Sequence, residues 1–310
     1  MAQKRSKILV IGGSALDIKA QTTSPVEYGI SVPGQIRLSV GGSARNMAEN
    51  LARLEVETVL FSVVGDDVAG RYLLETTGRV GVDVSQVLVS DKHHTGAYLA
   101  MIGLHGEPEW GMDDMSIMEL ISPDYINTRR ALFRGVRAIV LDMSVAPPTL
   151  QTIYALARRH RIGVCIDPTA RLLARRLIPY LNQTAIITPN QAEAEVLCDC
   201  TIRDADDAAE AARQLVSMGV KLAIITLGEK GLVYATAEES GRVPALEVDV
   251  VDLTGIGDAL TAAVVFGLIH DFPVDEAVRL GVTAAALTLS CPETVCPNLS
   301  LERLYDRLVL

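Results

Sequence analysis

The 310-residue sequence has no run of about 20 uncharged apolar residues, which is the length that a membrane-spanning helix needs. The apolar run near the N-terminus ends at Gly12 and is shorter than the core of a secretory signal peptide. The five cysteines include no CxxC pair, so the sequence indicates reduced thiols rather than a zinc site or a disulfide scaffold. We therefore expect a cytoplasmic protein with no membrane partner.

Basic residues are outnumbered, since 28 lysines and arginines stand against 38 aspartates and glutamates and the net charge is −10. Binding to DNA or RNA depends on clustered positive charge, so a nucleic acid is not an expected partner. Aromatic residues make up only 4% of the chain, but 49% of it is hydrophobic and 21% is charged. That composition excludes disordered, collagen-like and coiled-coil chains. The length alone allows two average domains or one large α/β domain.

Short β-branched segments alternate with segments of helical periodicity, which is the pattern of stacked β–α units. The predicted strands are 8–11, 58–64, 138–141, 164–166, 185–187 and 222–225. Their hydrophobicity is continuous rather than alternating, so both faces of the sheet are buried, as in a parallel sheet. Apolar residues at helical spacing follow in 44–54, 208–216 and 259–269. The sequence predicts an α/β fold with a mostly parallel central sheet between two helical layers.

Two segments, 18–40 and 92–111, interrupt this alternation with strand-like sequence and no helix. We expect them to be antiparallel strands that form a small β lid over one end of a core made of residues 1–17, 41–91 and 112–310. Tyr98 and Trp110 in this lid either stack on a planar ligand or cover the lid's apolar face. An exposed lid edge would pair with a second copy, so a homodimer through the lid is predicted.

A glycine-rich turn precedes the apolar helix near the C-terminus. The backbone N–H groups of Gly255, Ile256 and Gly257 can point at one spot there, and such a helix start binds an anion without any basic side chain. Asp258 follows in the first helical turn. From these residues alone it is either a helix cap or a base that takes a proton from an attacking hydroxyl group.

A second glycine turn, Gly41-Gly42, precedes the predicted helix 44–54. It either lets a ligand approach the backbone or forms a tight connection between lid and helix. Asn46 has donors and an acceptor suited to sugar hydroxyls, and Arg45 either reaches a phosphate or forms a surface ion pair. The chain contains neither GxxxxGK[ST] nor a GxGxxG after its first strand, which disfavours P-loop and Rossmann mechanisms.

Together these motifs resemble the ribokinase-like (PfkB) family of carbohydrate and nucleoside kinases over essentially the whole chain. The shared motifs are Gly41-Gly42 with Asn46, Thr188-Pro189-Asn190 with Glu193, Thr226-Leu227-Gly228 with Gly231, and Asp252-x-Thr254-Gly255-x-Gly257-Asp258. The resemblance implies a ribokinase-like core and the ATP-dependent phosphorylation of a primary hydroxyl on a sugar or nucleoside, with ATP and Mg²⁺ as cofactors.

The resemblance also implies roles for the motif residues. Asp258 would be the general base, and the amides of Gly255, Ile256 and Gly257 would form the anion hole. The residues implied for the acceptor are Asp17, Gly41, Gly42 and Asn46. The residues implied for the nucleotide and its Mg²⁺ are Asn190, Glu193, Thr226, Gly228 and Gly231. Asp252 and Thr254 match the family's site for a monovalent cation such as K⁺.

Further short motifs resemble the members of this family that phosphorylate pseudouridine. They are Pro33-Gly34-Gln35-Ile36, Asp114-Met115-x-Ile117, the turn around Asp142 and the segment 289–300. This resemblance implies transfer to the 5′-hydroxyl of pseudouridine and adds Asp114 to the acceptor-binding residues. The alternatives are a kinase of the same fold that acts on ribose, adenosine or a hexose derivative, and a non-catalytic sensor of nucleotides or sugars.

Overall fold

The strands and helices are taken from a computed structural model that describes residues 7–25, 29–103 and 108–308. The strands are β1 (Lys7–Ile11), β2 (Ala15–Thr22), β3 (Gly34–Gly41), β4 (Glu57–Phe61), β5 (Val63–Gly65), β6 (Leu88–Ser90), β7 (Gly96–Ile102), β8 (Pro108–Asp114), β9 (Ala138–Asp142), β10 (Gly163–Asp167), β11 (Ile186–Ile187), β12 (Leu222–Thr226), β13 (Leu232–Ala235) and β14 (Ser240–Val243). The α-helices are α1 (Ser43–Arg53), α2 (Val68–Arg79), α3 (Pro123–Thr128), α4 (Pro147–His160), α5 (Arg171–Ala174), α6 (Gln191–Cys198), α7 (Ala205–Ser217), α8 (Ile256–Ile269), α9 (Val274–Leu289) and α10 (Leu301–Arg307). Short 3₁₀ helices cover Ser116–Leu120, Arg130–Phe133, Arg175–Gln183 and Gly228–Lys230.

The main sheet has eight strands in the order β14-β13-β12-β11-β10-β9-β1-β4. Every pair from β12 to β4 is parallel, and β13 runs antiparallel to both of its neighbours. Both faces of β1 are buried, because Leu9 and Ile11 enter one hydrophobic cluster while Ile8 and Val10 enter another. The predicted mostly parallel sheet is confirmed.

Helices cover the main sheet on both faces. Helices α3 to α7 pack on the face that Leu9 and Ile11 share, and α1, α8, α9 and α10 pack on the face of Ile8 and Val10. The three-layer α/β core is therefore confirmed. None of the described helices is long and apolar enough to cross a membrane.

A separate four-stranded sheet, which we call the lid, has the order β3-β2-β7-β8. The pairs β2–β3 and β7–β8 are antiparallel as predicted, but β2 and β7 are parallel. The chain passes through α1, β4, β5, α2 and β6 between β3 and β7, so it re-enters the lid from the end at which β2 starts. The lid strands lie between residues 15 and 41 and between 96 and 114, so the first pair begins before the predicted segment 18–40, and the second pair begins after the start of 92–111 and ends beyond it. Residues 26–28 and 104–107 lie outside the described part of the chain.

The two faces of the lid differ in polarity because successive residues of a strand alternate between faces. The strand register places Asp17, Lys19, Arg37, Ser39, Tyr98 and Asp113 on one face. It places Ile18, Ile36, Leu38, Leu99, Trp110 and Met112 on the other face. Asp17 is buried and Lys19 forms an ion pair with Asp252 of the core, whereas Ile36 and Met112 are 73% and 66% exposed. The polar face therefore lies toward the core and the apolar face points away from it.

Two of the five cysteines depart from the sequence prediction. Cys291 and Cys296 form a disulfide, whereas Cys165, Cys198 and Cys200 are free. The prediction of reduced thiols is wrong for this pair, because the turn after α9 brings their Cα atoms to 5.5 Å, within the usual range for a disulfide.

Candidate active site

Asp142 ends β9 and lies at the centre of the carboxyl edge of the main sheet, where ligands bind in open α/β folds. Its buried carboxylate accepts hydrogen bonds from the backbone N–H groups of Gly13 at 2.8 Å and Ala44 at 3.0 Å. A Cβ atom at Gly12 would overlap this carboxylate. Burial raises the pKa of Asp142, while its hydrogen bonds act in the opposite direction. Asp142 thus holds the turn after β1 against the start of α1.

The start of α8 has the backbone geometry of an anion hole. Gly255 is the N-cap, with a left-handed φ of 80°, and no side chain caps the helix. The first bond of the helix runs from the N–H of Ala259 to the carbonyl of Gly255, at 3.0 Å. The N–H groups before Ala259 have no helical acceptor, so those of Ile256 and Gly257 are available to an anion.

Asp258 is buried at the third position of α8. Its Oδ2 accepts a hydrogen bond from Nδ2 of Asn46, on α1, at 2.8 Å. Because Gly255 is the N-cap, the helix-cap interpretation of Asp258 is wrong. Burial raises the pKa of Asp258 to about 7, with a further rise from the charge of Asp142, against the lowering effects of Asn46, Ser43 and Arg45. This carboxylate can exchange a proton near neutral pH.

Asp17 on β2 is the carboxylate that the lid brings to the site. It is 4% exposed and occupies the space that a Cβ atom at Gly41 would need. A Cβ atom at Gly42, where φ is 93°, would meet the backbone of Ser14. The glycine pair therefore forms the tight connection, and it also makes room for Asp17. Burial raises the pKa of Asp17 to about 6, although the positive charges of nearby residues oppose this shift.

Arg45 does not form the surface ion pair considered from the sequence. It is 1% exposed and its Nη2 lies 2.5 Å from Oε2 of Glu49, one helical turn further along α1. Its charge lowers the pKa values of both Asp17 and Asp258. A buried cation therefore stands beside the two carboxylates of the site, where it favours their ionised forms.

Four of the five residues predicted for the nucleotide line one cavity of about 780 Å³. They are Asn190, Thr226, Gly228 and Gly231. The walls are mostly apolar, and Ile256 and Gly257 at the start of α8 line the same cavity. Glu193 is absent from this lining. It is buried in a capping box, in which its N–H donates to Oδ1 of Asn190 at 3.0 Å and its Oε2 accepts from the N–H of Asn190 at 2.9 Å.

Asp167 ends β10 beside the start of α8 and was not among the predicted site residues. Its Oδ2 lies 3.7 Å from the position of a Cβ atom at Gly257. Burial and the charges of Asp258 and Glu193 raise its pKa. No group of three or more His, Cys, Asp or Glu side chains in the described ranges is arranged as a metal site. Mg²⁺ usually binds through one or two carboxylates, water and substrate phosphates, so this concentration of negative charge fits Mg²⁺ that arrives with ATP.

Asp114, Asp252 and Thr254 have hydrogen-bond partners other than the residues around Asp258. Asp114 is exposed at the end of β8, where its Oδ1 accepts hydrogen bonds from the N–H and the hydroxyl of Ser116. The side chains of Asp252 and Thr254 both bind the ammonium group of Lys19, which the sequence did not single out.

The core, the lid and a buried carboxylate at an amide-lined helix start together define a kinase of the ribokinase-like fold. A structure of Arabidopsis thaliana ribokinase complexed with ribose and ATP has a TM-score of 0.88 to this chain, covers 99% of this chain and 100% of its own, and is 19% identical. A carbohydrate kinase from Agrobacterium tumefaciens has a TM-score of 0.84, covers 98% and 97%, and is 25% identical.

Residues 5–300 match the pfkB family of carbohydrate kinases, and the chain belongs to that family. It is 29% identical over 305 residues to the pseudouridine kinase of Escherichia coli (strain K12), covering 98% of this chain and 97% of the relative. It is 30% identical over 293 residues to the guanosine-inosine kinase of Exiguobacterium acetylicum, covering 93% and 96%. The predicted enzyme class, an ATP-dependent sugar or nucleoside kinase, is confirmed, and the sensor alternative is set aside.

Proposed function

We propose that this kinase transfers the γ-phosphoryl group of ATP to the 5′-hydroxyl of pseudouridine, which yields pseudouridine 5′-phosphate and ADP. Similarity to a pseudouridine kinase over nearly the whole chain supports this acceptor. Tyr98 provides the structural observation that supports a nucleoside, rather than a free sugar, as the acceptor. It pairs with Asp17 across the polar face of the lid, it is 37% exposed, and its ring lies over Gly111, which has no side chain. An aromatic ring beside the sugar-binding carboxylate is a platform on which a base can stack.

The transfer follows from the position of Asp258. The acceptor hydroxyl lies against its carboxylate, with Asp17 and Asn46 on the sugar hydroxyls. Asp258 takes the hydroxyl proton as the new O–P bond forms and the bond from the γ-phosphorus to the bridging oxygen of ADP breaks. The amides of Ile256 and Gly257 stabilise the charge on the transferring group.

The nucleotide occupies the cavity that ends at this anion hole, along Asn190, Thr226, Gly228 and Gly231. Asp167 and Glu193 would hold Mg²⁺ through water, and Mg²⁺ supplies neutralisation of the phosphate charge when it is bound. Asp114 is exposed at the end of β8, and its contact with the acceptor stays a prediction.

A panel of acceptors under saturating Mg-ATP tests the assignment. We expect kcat/KM for pseudouridine to exceed that for uridine, adenosine, ribose and fructose by at least about tenfold, a difference of ~1.4 kcal/mol. Guanosine and inosine belong in the panel because of the 30% identical relative. Tyr98→Leu should raise KM for the nucleosides about tenfold and leave KM for ribose unchanged. Higher turnover of ribose, guanosine or inosine than of pseudouridine would refute the proposed acceptor.

We further propose that the chain is a homodimer joined through the apolar face of the lid. Leu38 is 58% exposed on that face, so Leu38→Lys should leave the lid folded and place a charge in the interface. By light scattering, the wild type should have twice the mass of the 33.3 kDa chain, and the variant should be monomeric. Leu172→Lys, at an exposed position on α5, is the control and should stay dimeric. A monomeric wild type at micromolar concentration would contradict the proposal.

A further inference from the structure

Lys19 extends from the lid to the segment that leads into the anion hole. Its Nζ lies 2.5 Å from Oδ2 of Asp252 and 2.7 Å from Oγ1 of Thr254. The Lys19 and Asp252 side chains are only 12% and 14% exposed. Thr254 directly precedes Gly255, the N-cap of α8, so this ammonium charge stands beside the start of the helix.

The same two residues are those that the family resemblance implies as ligands of a monovalent cation. Both carboxylate oxygens of Asp252 are already engaged, since Oδ1 accepts the N–H of Thr254 at 2.8 Å and Oδ2 accepts Lys19. Burial opposes ionisation of Asp252, but hydrogen bonds from Lys19 and Thr254 outweigh it and lower its pKa. The residues present therefore do not fit a K⁺ ion, because a group of the same charge holds the oxygens that K⁺ would need.

We propose that the ammonium group of Lys19 replaces the monovalent cation, so that this enzyme works without K⁺. The inference rests on the proposed phosphoryl transfer at the start of α8. Lys19 is a positioning residue. It holds the segment 252–254 in place before Gly255 and adds positive potential near the phosphate site.

Because Lys19 lies on the lid, the presence of its charge at the site is linked to the closure of the lid. Lys19 and Asp17 lie two residues apart on the same face of β2. The strand that brings the acceptor-binding carboxylate therefore also brings the charge. A freely diffusing cation would be independent of the lid, whereas this one is present only when β2 lies over the core.

The test compares Lys19→Ala, which removes the charge and opens space, with Lys19→Met, which removes the charge but fills the space. Activity and Tm are measured in about 100 mM KCl or choline chloride, at equal ionic strength so that screening is constant. The kcat of the wild type should differ less than twofold between the two salts. In choline, Lys19→Ala should lose at least about tenfold in kcat, and KCl should restore most of it, because oxygen ligands released by the lysine can bind K⁺. Lys19→Met should be impaired in both salts.

The Tm of Lys19→Ala should rise in KCl relative to choline, while those of the wild type and Lys19→Met should not, since only a protein that binds the ion is stabilised by it. Lys92→Ala, at an exposed lysine next to the lid, is the control for loss of a charge and should match the wild type. A wild type that needs K⁺, an unimpaired Lys19→Ala, or a Lys19→Ala that K⁺ neither reactivates nor stabilises would overturn the inference. If no protein in the set phosphorylates any acceptor, the proposed function fails, and the Tm comparison still decides the role of Lys19.

Discussion

Asp258→Asn should lower kcat by at least about a hundredfold, or ~2.7 kcal/mol in activation free energy. The amide has nearly the shape of the carboxylate and can keep a contact with Asn46, but it cannot accept the proton of the acceptor hydroxyl. The nucleotide cavity does not include Asp258, so the Kd of ATP should change little. Steady-state kinetics and calorimetric titration of ATP measure the two effects separately. Asp206→Asn, in the first turn of α7 and on the surface, is the matched control and should retain full activity.

The pH profile gives a second readout for the same residue. Since burial raises the pKa of Asp258 to about 7, the base is protonated below that pH, and kcat/KM for the acceptor should fall about tenfold per pH unit as the pH drops further. The residual activity of Asp258→Asn should lack this inflection. A variant that keeps a tenth or more of wild-type kcat would exclude Asp258 as the base.

The parallel part of the main sheet was predictable because each of its strands carries its own signal, whereas β13 and β14 were not predicted. Segments such as 138–141 and 164–166 are continuously apolar, and both became strands of the sheet, lengthened by a residue or two. In the lid the same local signals predicted strands, but not that β2 and β7 are parallel. That pairing depends on the path of the chain through the core between the two lid segments, which no local pattern contains.

The candidate active site likewise combines features with a local sequence signal and contacts between distant segments. The glycine turn at Gly255 is a local feature and was recognised, and the N-cap position of Gly255 excludes a cap role for Asp258. The partner of the Asp258 carboxylate, Asn46, is 212 residues away. The bond from Lys19 to Asp252 spans 233 residues. A lone lysine in a strand gives no sequence signal for such a contact. Turn and helix signals were therefore sufficient to locate the helix start that we propose as the anion hole, but the side chains that set its charge come from distant segments.

These contacts also explain how an acidic chain can bind a polyanion. The net charge of −10 describes the whole chain. At the site, Lys19 and the buried Arg45 bring positive charge among the carboxylates, and the unpaired amides at the start of α8 add a favourable dipole. The local potential, rather than the net charge, determines which ligand binds.

Gly255→Ala should abolish most activity without any change in a reacting side chain. At φ 80° an alanine costs about 1–2 kcal/mol, and its Cβ would overlap the carbonyl oxygen of Thr294. Thr294 lies in the loop closed by Cys291 and Cys296, and its hydroxyl donates to the carbonyl of Val40 at 2.8 Å, so the loop has little room to retreat. The start of α8 must move instead. Loss of aligned amides should reduce kcat by about 10²–10³-fold.

Gly135→Ala separates backbone strain from this overlap. Gly135 has a similar φ of 75°, but a Cβ atom there would meet nothing within 4 Å. Both variants should show a lower Tm in calorimetry, and Gly135→Ala should keep wild-type kcat because only the cost of its left-handed backbone is added. If Gly255→Ala kept kcat within about fivefold of the wild type while its Tm fell as in Gly135→Ala, the amides at the start of α8 would not be the anion hole.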